Sequence, residues 1–484
     1  MPGARPMPAL LASLRASPAT ESGVVKGANA LDVPLWSDAR NVLFRNGGPE
    51  KIGGWVGVVG VSGAGAVRGM DALQDEAAVQ RLFFGDASRL WMWVPGTVSE
   101  LADGLTGHVD ETPTRDATVW SFARFGNWMI CANGVDPVRV WRDGGTSEVL
   151  AGTTFTRAEI VRASRSFVLA FNTSNGAGYV EWCSGDDPED WTPASGNSAG
   201  NLQVRDLNGP IKAVVPLGEQ FLILGKNQAF LLSFVDAPLI WAYQPALQGI
   251  GAVGKAAAVE ANRIAYGLGE MGFWATDGVT FRLIGTTAIL EWLKTVWDGT
   301  QLSKVAATYD SSTETVIWSI PTASGGGEPT VSVAYTIPGG AWSVLGFGRS
   351  AWVPQLGVFK QPWGASGGTL HAHNVGHDAG GAALAAHAQT RPLDLGAPRA
   401  WKYLEAVEIQ LRRLAGAVTL HIGWQANLDD PVTWDAGTPL GAGFAPVYTS
   451  AAGRFLSLRI GSTALGADWA MSGGDIWGDI GGNV

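Results

Sequence analysis

The segment 120–142, WSFARFGNWMICANGVDPVRVWR, consists of three short apolar runs separated by two turn signals. The first signal is Gly126-Asn127 and the second is Asn133-Gly134. Gly and Asn tolerate the positive φ angles of tight turns, and runs rich in Val, Ile, Phe and Trp favour strands. The segment therefore predicts consecutive antiparallel strands joined by hairpin turns.

The same plan recurs along the chain at intervals of about 40 to 50 residues. Further strand–turn–strand units lie at 81–93, 167–185, 221–235, 263–285 and 305–345. A period of this length with about four strands per unit is typical of β-propeller blades. We therefore predict an all-β protein with a six- or seven-bladed propeller.

The composition agrees with an all-β fold. The 484 residues include 66 Gly and 22 Trp, and only 16% are charged, against about 25% in ordinary domains. Many turns and aromatic-packed sheets account for such values. The best helix candidate is 289–298, where Ile289, Leu293 and Trp297 recur at a helical spacing.

The chain divides into three predicted parts. Residues 1–35 are rich in Ala, Pro and Ser and form an arm that we expect to be ordered only by a partner. Residues 36–388 form the propeller. Residues 389–484 again alternate apolar and polar residues and form a C-terminal β-sandwich or jelly-roll module.

The hairpin-like stretch 41–55, NVLFRNGGPEKIGGW, has a predicted role in closing the propeller. Asn46-Gly47 is its turn, and Trp55 is its packing anchor. In a propeller, a strand from one end of the chain usually completes the last blade and so hides two sheet edges. We predict that 41–55 pairs with strands near 350–385.

Charge and hydropathy limit the function classes. The net charge of −10 and the pI near 5.1 argue against a protein that lines a DNA groove. No run of about 18 apolar residues is present, so no membrane span is expected. Arg15 interrupts the short apolar stretch near the N-terminus, which argues against a secretion signal. Cys131 and Cys183 are predicted to be reduced core residues.

Three histidines, His371, His373 and His377, form an H-x-H-x-x-x-H pattern that could ligate zinc. On a strand the first two would share one face. The alternative is a polar turn, because Asp378 and two glycines follow directly. We favour the turn, and predict neither a metal nor a cofactor.

The segment 184–193, SGDDPEDWTP, resembles the aspartate box of sialidase propellers, which holds a turn and does not catalyse. Asp186 and Glu189 are the candidate acids if the chain is a glycosidase. Sialidase chemistry would also need an arginine cluster, a tyrosine nucleophile and an acidic partner, and none of the seven tyrosines lies in an obvious Tyr-Glu arrangement. A second pattern, Gly60–Ala64, departs from a hydrolase G-x-S-x-G elbow at its last position. We predict a protein without catalytic residues.

The tryptophans allow two interpretations. One is a platform on which sugars stack, and the other is packing within and between blades, which we favour. The tryptophans in or beside predicted strands are Trp91, Trp93, Trp120, Trp128, Trp141, Trp182, Trp191, Trp241, Trp274, Trp318, Trp342 and Trp352.

Several phrases together resemble the β-propeller tail proteins of tailed bacteriophages, the hub or nozzle class of short-tailed particles. The likeness is colinear from about Leu35 onward. In the histidine phrase, Asn374 stands where the family turn usually has Glu. The phrases are 41–55, 126–142, 182–235, 250–259, 272–278, 370–381 and 468–482.

The resemblance implies a structural virion protein in the phage tail, assembled in the host cytoplasm. Such proteins form a homo-oligomeric ring, commonly a hexamer, below the portal and its adaptor, and serve in genome retention and ejection. Viral DNA passes through the ring without sequence-specific binding, which suits an acidic chain. The arm and the C-terminal module are the expected contact regions. A carbohydrate-binding or glycoside-hydrolysing propeller is the alternative.

Overall fold

The computed structural model describes residues 9–13, 36–61, 65–106, 119–142, 144–353, 358–441 and 446–483. Across these residues the strands form nine sheets, of which seven have four strands each. The first strands along the chain are β1 (Ala9–Ser13), β2 (Trp36–Arg40), β3 (Val42–Arg45), β4 (Gly48–Lys51) and β5 (Trp55–Gly60).

Blades 1 to 4 follow in sequence order, each an antiparallel meander of four strands. Blade 1 consists of β6 (Met70–Gln74), β7 (Gln80–Gly85), β8 (Leu90–Val94) and β9 (Thr97–Ala102). Blade 2 consists of β10 (Ser121–Phe125), β11 (Trp128–Ala132), β12 (Arg139–Trp141) and β13 (Glu148–Val149). Blade 3 consists of β14 (Ala158–Ser164), β15 (Phe167–Thr173), β16 (Tyr179–Trp182) and β17 (Gly200–Gln203). Blade 4 consists of β18 (Ala213–Leu217), β19 (Gln220–Leu224), β20 (Gln228–Asp236) and β21 (Ile240–Gln248).

Blades 5 to 7 complete the ring. Blade 5 consists of β22 (Ala258–Ala261), β23 (Ile264–Gly269), β24 (Gly272–Thr276) and β25 (Phe281–Leu283). Blade 6 consists of β26 (Ala306–Asp310), β27 (Thr315–Pro321), β28 (Pro329–Thr336) and β29 (Ala341–Leu345). Blade 7 consists of β30 (Ala351–Val353), β31 (Trp363–Ser366) and β32 (Thr369–His373), with β5 as its fourth strand. The first strand of blade 7 contacts the first strands of blades 6 and 1, so the propeller is closed.

The closing strand is β5, which pairs antiparallel with β32 through Trp55 opposite His373 and Gly60 opposite Thr369. The chain therefore does close its last blade with a strand from the N-terminal side. The prediction that the whole stretch 41–55 does so is wrong, because the hairpin of β3 and β4 belongs to another sheet.

The hairpin joins the C-terminal module instead, through Glu50 opposite Ala470. The strand before it, β2, pairs with residues near Ala388. Val42 and Phe44 alternate along the hairpin and are buried in the core of that module, which explains its placement. The predicted domain boundaries at 36 and 388 are corrected accordingly: the strands of the propeller run from β5 to β32, and the module takes β2 to β4.

The C-terminal module is a two-sheet β-sandwich with one shared core. One sheet has the order β3-β4-β41-β34-β38, and the other β2-β33-β40-β35-β36. The remaining strands are β33 (Ala386–Thr390), β34 (Ala400–Ala415), β35 (Thr419–Gln425), β36 (Thr433–Trp434), β37 (Thr438–Pro439), β38 (Val447–Tyr448), β39 (Ala452–Gly453), β40 (Phe455–Ser462) and β41 (Asp468–Asn483).

Part of the predicted arm is ordered by its own chain. The strand β1 pairs with β41, with Leu10 opposite Trp477 and Ser13 opposite Asp475. Leu11 and Ala12 pack against the sandwich core. This pairing within one chain differs from the prediction that only a partner orders the arm. The rest of 1–35 lies outside the described residues.

The helix prediction is confirmed, with both ends two residues nearer the N-terminus than the predicted 289–298. Helix α1 spans Thr287–Val296, and the Thr286 hydroxyl accepts a hydrogen bond from the Ile289 amide at 3.3 Å as its N-cap. Ile289 and Leu293 are buried, as the spacing requires, while Trp297 is the C-cap. No helix among the described residues is long and apolar enough to cross a membrane.

Two glycines in the blades make room for tryptophans on neighbouring strands. Gly267 lies opposite Trp274 on neighbouring strands, and Gly200 lies opposite Trp182 in the same way. A Cβ atom on Gly267 would come 2.2 Å from the Trp274 indole. Glycine therefore leaves the space that the large ring occupies on the adjoining strand.

Both cysteines are buried and free, as predicted for core residues. Burial raises the pKa of the Cys183 thiol to about 11, and raises that of Cys131 as well. Both thiols are therefore protonated and unreactive at neutral pH.

Candidate functional site

A cavity of about 460 Å³ lies where blades 6 and 7 meet the sandwich. We call it the junction cavity. The propeller supplies several apolar side chains to its lining, and the sandwich supplies most of the charged ones. Its lining includes Leu43, Arg45, Glu50, Lys51, Ile52, Asp310, Ser312, Ile317, Leu345, Phe347, Trp352, His373, Asn374, His377, Arg413 and Asp468. The predicted hairpin and the predicted histidine phrase thus meet at one place.

Glu50 on β4 is the centre of the first charge cluster in the cavity. Only 5% of its side chain is exposed, and it pairs with Arg45 across the hairpin and with Arg412 on β34 at 3.3 Å. A buried carboxylate is stable when charged partners of opposite sign surround it. Arg412 therefore joins the hairpin to the neighbouring part of the sandwich, and Arg45 adds a second positive charge within the hairpin.

Lys51 is the next residue and is almost fully buried. Its Nζ donates to the carbonyl of Ala467 at 2.5 Å and to that of His377 at 3.1 Å. Burial lowers its pKa. The side chain of His377 in turn lies 3.7 Å from Asp468, which also pairs with Arg413. These contacts join the sandwich to the segment that leaves blade 7.

His373, which lines the cavity, forms a buried pair with Arg349. The Arg349 Nε donates to the His373 Nε2 at 3.0 Å, and its guanidinium carbon lies 4.9 Å from the ring centres of Trp55 and Phe347. Desolvation lowers the pKa of Arg349 to about 9. Desolvation, followed by the charge of Arg349, holds the pKa of His373 well below its usual range. The imidazole is therefore neutral and acts as a hydrogen-bond acceptor.

The three predicted histidines have three different environments. His371 and His373 both lie on β32, and His377 lies in the loop beyond it, so the polar-turn interpretation holds for His377 alone. Burial, followed by the charge of Arg349, lowers the pKa of His371 to about 4. Within the described part of the chain, no group of three or more His, Cys, Asp or Glu side chains is arranged to hold a metal ion.

Asn374 has a structural function in the same phrase. Its φ of +58° lies in the left-handed region, which Asn tolerates better than most residues. Its Nδ2 donates to Asp310 at 2.8 Å and to Ser312 at 3.2 Å, which connects blade 7 to blade 6. The residue thus holds a turn between blades.

The segment 184–193 also holds a turn. The Asp187 carboxylate accepts a hydrogen bond from the Glu189 amide at 3.0 Å, and Trp191 packs edge-on against Phe155. Glu189 itself pairs with Arg142 of blade 2. Asp186 adopts a φ of +63°, as expected in a tight turn. The G-x-S-x-G-like pattern includes residues 62–64, which lie outside the described residues.

Eleven of the twelve tryptophans considered above are buried, and Trp128 is half-buried. The Arg142 guanidinium covers Trp128, with 4.3 Å between its carbon and the ring centre. A sugar platform needs exposed ring faces, so the packing interpretation agrees with the structure.

Sequence reasoning did not find Glu50, Lys51 or Arg349 as buried charges. Charged residues are usually exposed, and nothing in the hairpin sequence marks the two there as buried. One signal was present for the arginine: Arg68, Lys304 and Arg349 each stand two residues before the first strand of a blade. A basic residue that recurs two positions before the first strand of several blades indicates that these residues occupy equivalent places in the fold.

Comparisons with known proteins give structural likenesses only. No family model matches the chain, and no curated protein matches it. The β-propeller domain of Cps50 (Swd1) from Myceliophteria thermophila is 12% identical, covers 66% of this chain and 99% of its own, and has a TM-score of 0.41. YCF48 from Cyanidioschyzon merolae is 10% identical, with coverages of 66% and 98% and a TM-score of 0.39.

A third likeness is to PorZ, a surface component of the type-IX secretion system of Porphyromonas gingivalis. It is 8% identical, with coverages of 73% of this chain and 44% of PorZ and a TM-score of 0.38.

Proposed function

We propose that the chain is a structural, non-enzymatic protein of the bacteriophage tail, of the hub or nozzle class. Copies of it would form a ring below the portal and its adaptor. By analogy with the family that the chain resembles, the ring would contain six copies. The ring would enclose the channel through which viral DNA is retained and then ejected. The proposal starts from the colinear sequence resemblance described above.

The observation that carries the proposal is the fixed joint between propeller and sandwich. The chain enters through the sandwich, builds seven blades, and returns to the same sandwich. Buried charges at Glu50, Lys51 and Asp468 hold that joint. A ring of identical subunits requires every copy to present the same surfaces at the same angle, and such a joint meets this need.

The outer edge of blade 5 supports assembly. Its last strand, β25, is exposed along its whole length, with Phe281 at 39% and Leu283 at 48% exposure. Val279 and Met271 beside it are exposed at 75% and 58%. We call these four residues the blade-5 edge. Edge strands with exposed apolar side chains are favoured places for another chain to dock, and we assign the edge to the subunit contact.

Electron microscopy of the purified protein tests the proposal. We expect closed rings, and a mass by light scattering that is a whole multiple of one chain. A second experiment labels the protein in particles of the phage that encodes it, with the label expected at the tail. A protein that stays monomeric at high concentration and is missing from particles would contradict the proposal.

The carbohydrate alternative predicts a different result. Glycans would quench tryptophan fluorescence, or a fluorogenic glycoside would be hydrolysed and the activity lost in Asp186→Asn and Glu189→Gln. Either outcome, without rings, would favour the alternative.

A further inference from the structure

The propeller has its own axial cavity of about 300 Å³, separate from the junction cavity. All seven blades contribute to its lining, from Arg68 of blade 1 to Trp352 of blade 7. Its volume lies at the lower end of the range for small-molecule pockets. It is far too small for duplex DNA, and suits a compact ligand.

The lining is rich in basic groups. Five basic residues and one acid, Asp71, line the cavity in a chain with 33 basic and 43 acidic residues. Asp71 pairs with Arg124 at 2.9 Å. Outside the lining, Glu328 neutralises part of the charge of two other basic groups, Arg68 at 2.6 Å and Lys304 at 3.1 Å. The cavity thus has a positive excess that the chain as a whole lacks.

Arg162 is held in place by three hydrogen bonds. Its Nε donates to the carbonyl of Val214 at 3.0 Å, and its Nη1 donates to the Ser121 hydroxyl at 2.9 Å and to the carbonyl of Val161 at 2.8 Å. These bonds connect blades 2, 3 and 4 and hold the guanidinium plane in one orientation. Within the described part of the chain, its Nη2 has no hydrogen-bond partner.

The surroundings of Arg162 favour an anionic ligand. Desolvation lowers its pKa to about 10, and Asp71 is the acid that partly offsets this effect. A bound oxyanion would supply the counter-charge directly to a guanidinium that is already oriented, with little cost in side-chain entropy.

We propose that the axial cavity is a binding site for the oxyanion group of a small ligand, with Arg162 as the principal donor and Arg124 beside it. Phosphate, sulfate and carboxylate share the chemistry that this arrangement recognises. The inference does not depend on the tail assignment, because it concerns a cavity within one chain.

Isothermal titration and thermal unfolding of the full chain test the site, with sodium pyrophosphate and sodium citrate as probes at low ionic strength. We expect at least one probe to bind and to raise the unfolding temperature. Arg162→Gln should weaken binding by about tenfold or more, because one charged hydrogen-bond donor is lost. Binding of pyrophosphate alone would point to phosphate ligands, and binding of citrate alone to carboxylates.

Two further variants keep the test decisive. Arg124→Gln should also weaken binding, and it replaces Arg162→Gln if that variant does not fold. The Arg124 side chain is 38% exposed. Lys226→Gln is the control, because that side chain is 64% exposed and lies outside the cavity lining. The proposal is overturned if neither probe binds, or if binding is the same in the wild type and in the two arginine variants.

Discussion

Trp55 lies directly opposite His373. It is the first residue of β5, the N-terminal strand that pairs with the last blade. The two rings are 5.5 Å apart, and Trp55 also packs against Phe347 at 4.9 Å. The indole therefore contacts groups of blades 6 and 7 at once. Closure of the ring and packing of its last interface depend on the same side chain.

Trp55→Ala should destabilise the whole propeller. The side chain is 9% exposed, and its removal leaves a cavity beside Arg349 and His373, which lose an aromatic partner. We expect a loss of about 3–5 kcal/mol in the free energy of unfolding, measured by chemical denaturation. Trp128→Ala is the control, with a smaller loss because that ring is half-buried. Equal losses in both variants would contradict a special role for Trp55.

Gly267→Ala should destabilise blade 5 through its contact with Trp274. An added methyl group would overlap the indole, and overpacking of this kind costs about 1–3 kcal/mol. The double variant with Trp274→Leu should recover part of that loss, so the two effects are non-additive. Gly299→Ala is the control, because nothing lies within 4 Å of the position of its Cβ. Strict additivity in the double variant would show that the ring is not the obstacle.

The propeller was predictable from the sequence because its signals are local. Turn pairs such as Gly126-Asn127 and the apolar runs beside them specify hairpins, and their repetition specifies blades. The destination of the hairpin around Asn46 was not predictable in this way. Both a blade and a sandwich sheet accept an alternating strand, and only the long-range partner, Ala470, distinguishes them.

The candidate site was predictable only in part, because its chemistry depends on burial. His373 was recognised as a potential ligand, yet its pKa is lowered first by its burial and then by the charge of Arg349, which lies 24 positions earlier in the sequence. Glu50 and Lys51 carry no local sign of burial. Their partners Arg412 and Ala467 lie hundreds of residues away and become neighbours only in the fold.

Acid should destabilise the protein through His371. The folded-state pKa is about 4, below the value of about 6.5 in an unfolded chain, so the unfolded chain binds the proton first. This contribution to stability is present above pH 6.5 and is lost as the pH falls toward 4. His373, whose pKa is also lowered, acts in the same direction.

The measurement for this prediction is the thermal unfolding temperature at about pH 7 and about pH 5, above the range where carboxylates protonate. His371→Asn should reduce the difference between the two temperatures. His421→Asn, on the sandwich, serves as a control for the loss of a histidine. An unchanged pH dependence in His371→Asn would contradict the prediction.

Glu50→Ala should weaken the attachment of the hairpin to the sandwich. The substitution leaves Arg45 and Arg412 close together without their shared carboxylate. A hydrogen bond to a charged group contributes about 1.5–3 kcal/mol, and we expect a loss of at least this size. Glu270→Ala is a matched control, since its pair with Lys226 is exposed and such pairs contribute at most about 1 kcal/mol. Chemical denaturation measures both, and a loss for Glu50→Ala no larger than that of the control would refute the anchoring role.

Phe281→Glu should prevent ring assembly while leaving the fold intact. The side chain is exposed on β25, so the free subunit tolerates a carboxylate there. In a subunit contact the carboxylate would lose its water without gaining a positively charged partner. Light scattering should change from a ring to a monomer, while the unfolding temperature of the monomer stays near that of the wild-type chain. Val149→Glu, at a position 53% exposed on blade 2, introduces the same charge away from the blade-5 edge and should assemble normally. If Phe281→Glu still forms rings, the contact lies on another surface. Exposed residues of the sandwich would then be replaced next, beginning with Tyr448, which is 79% exposed.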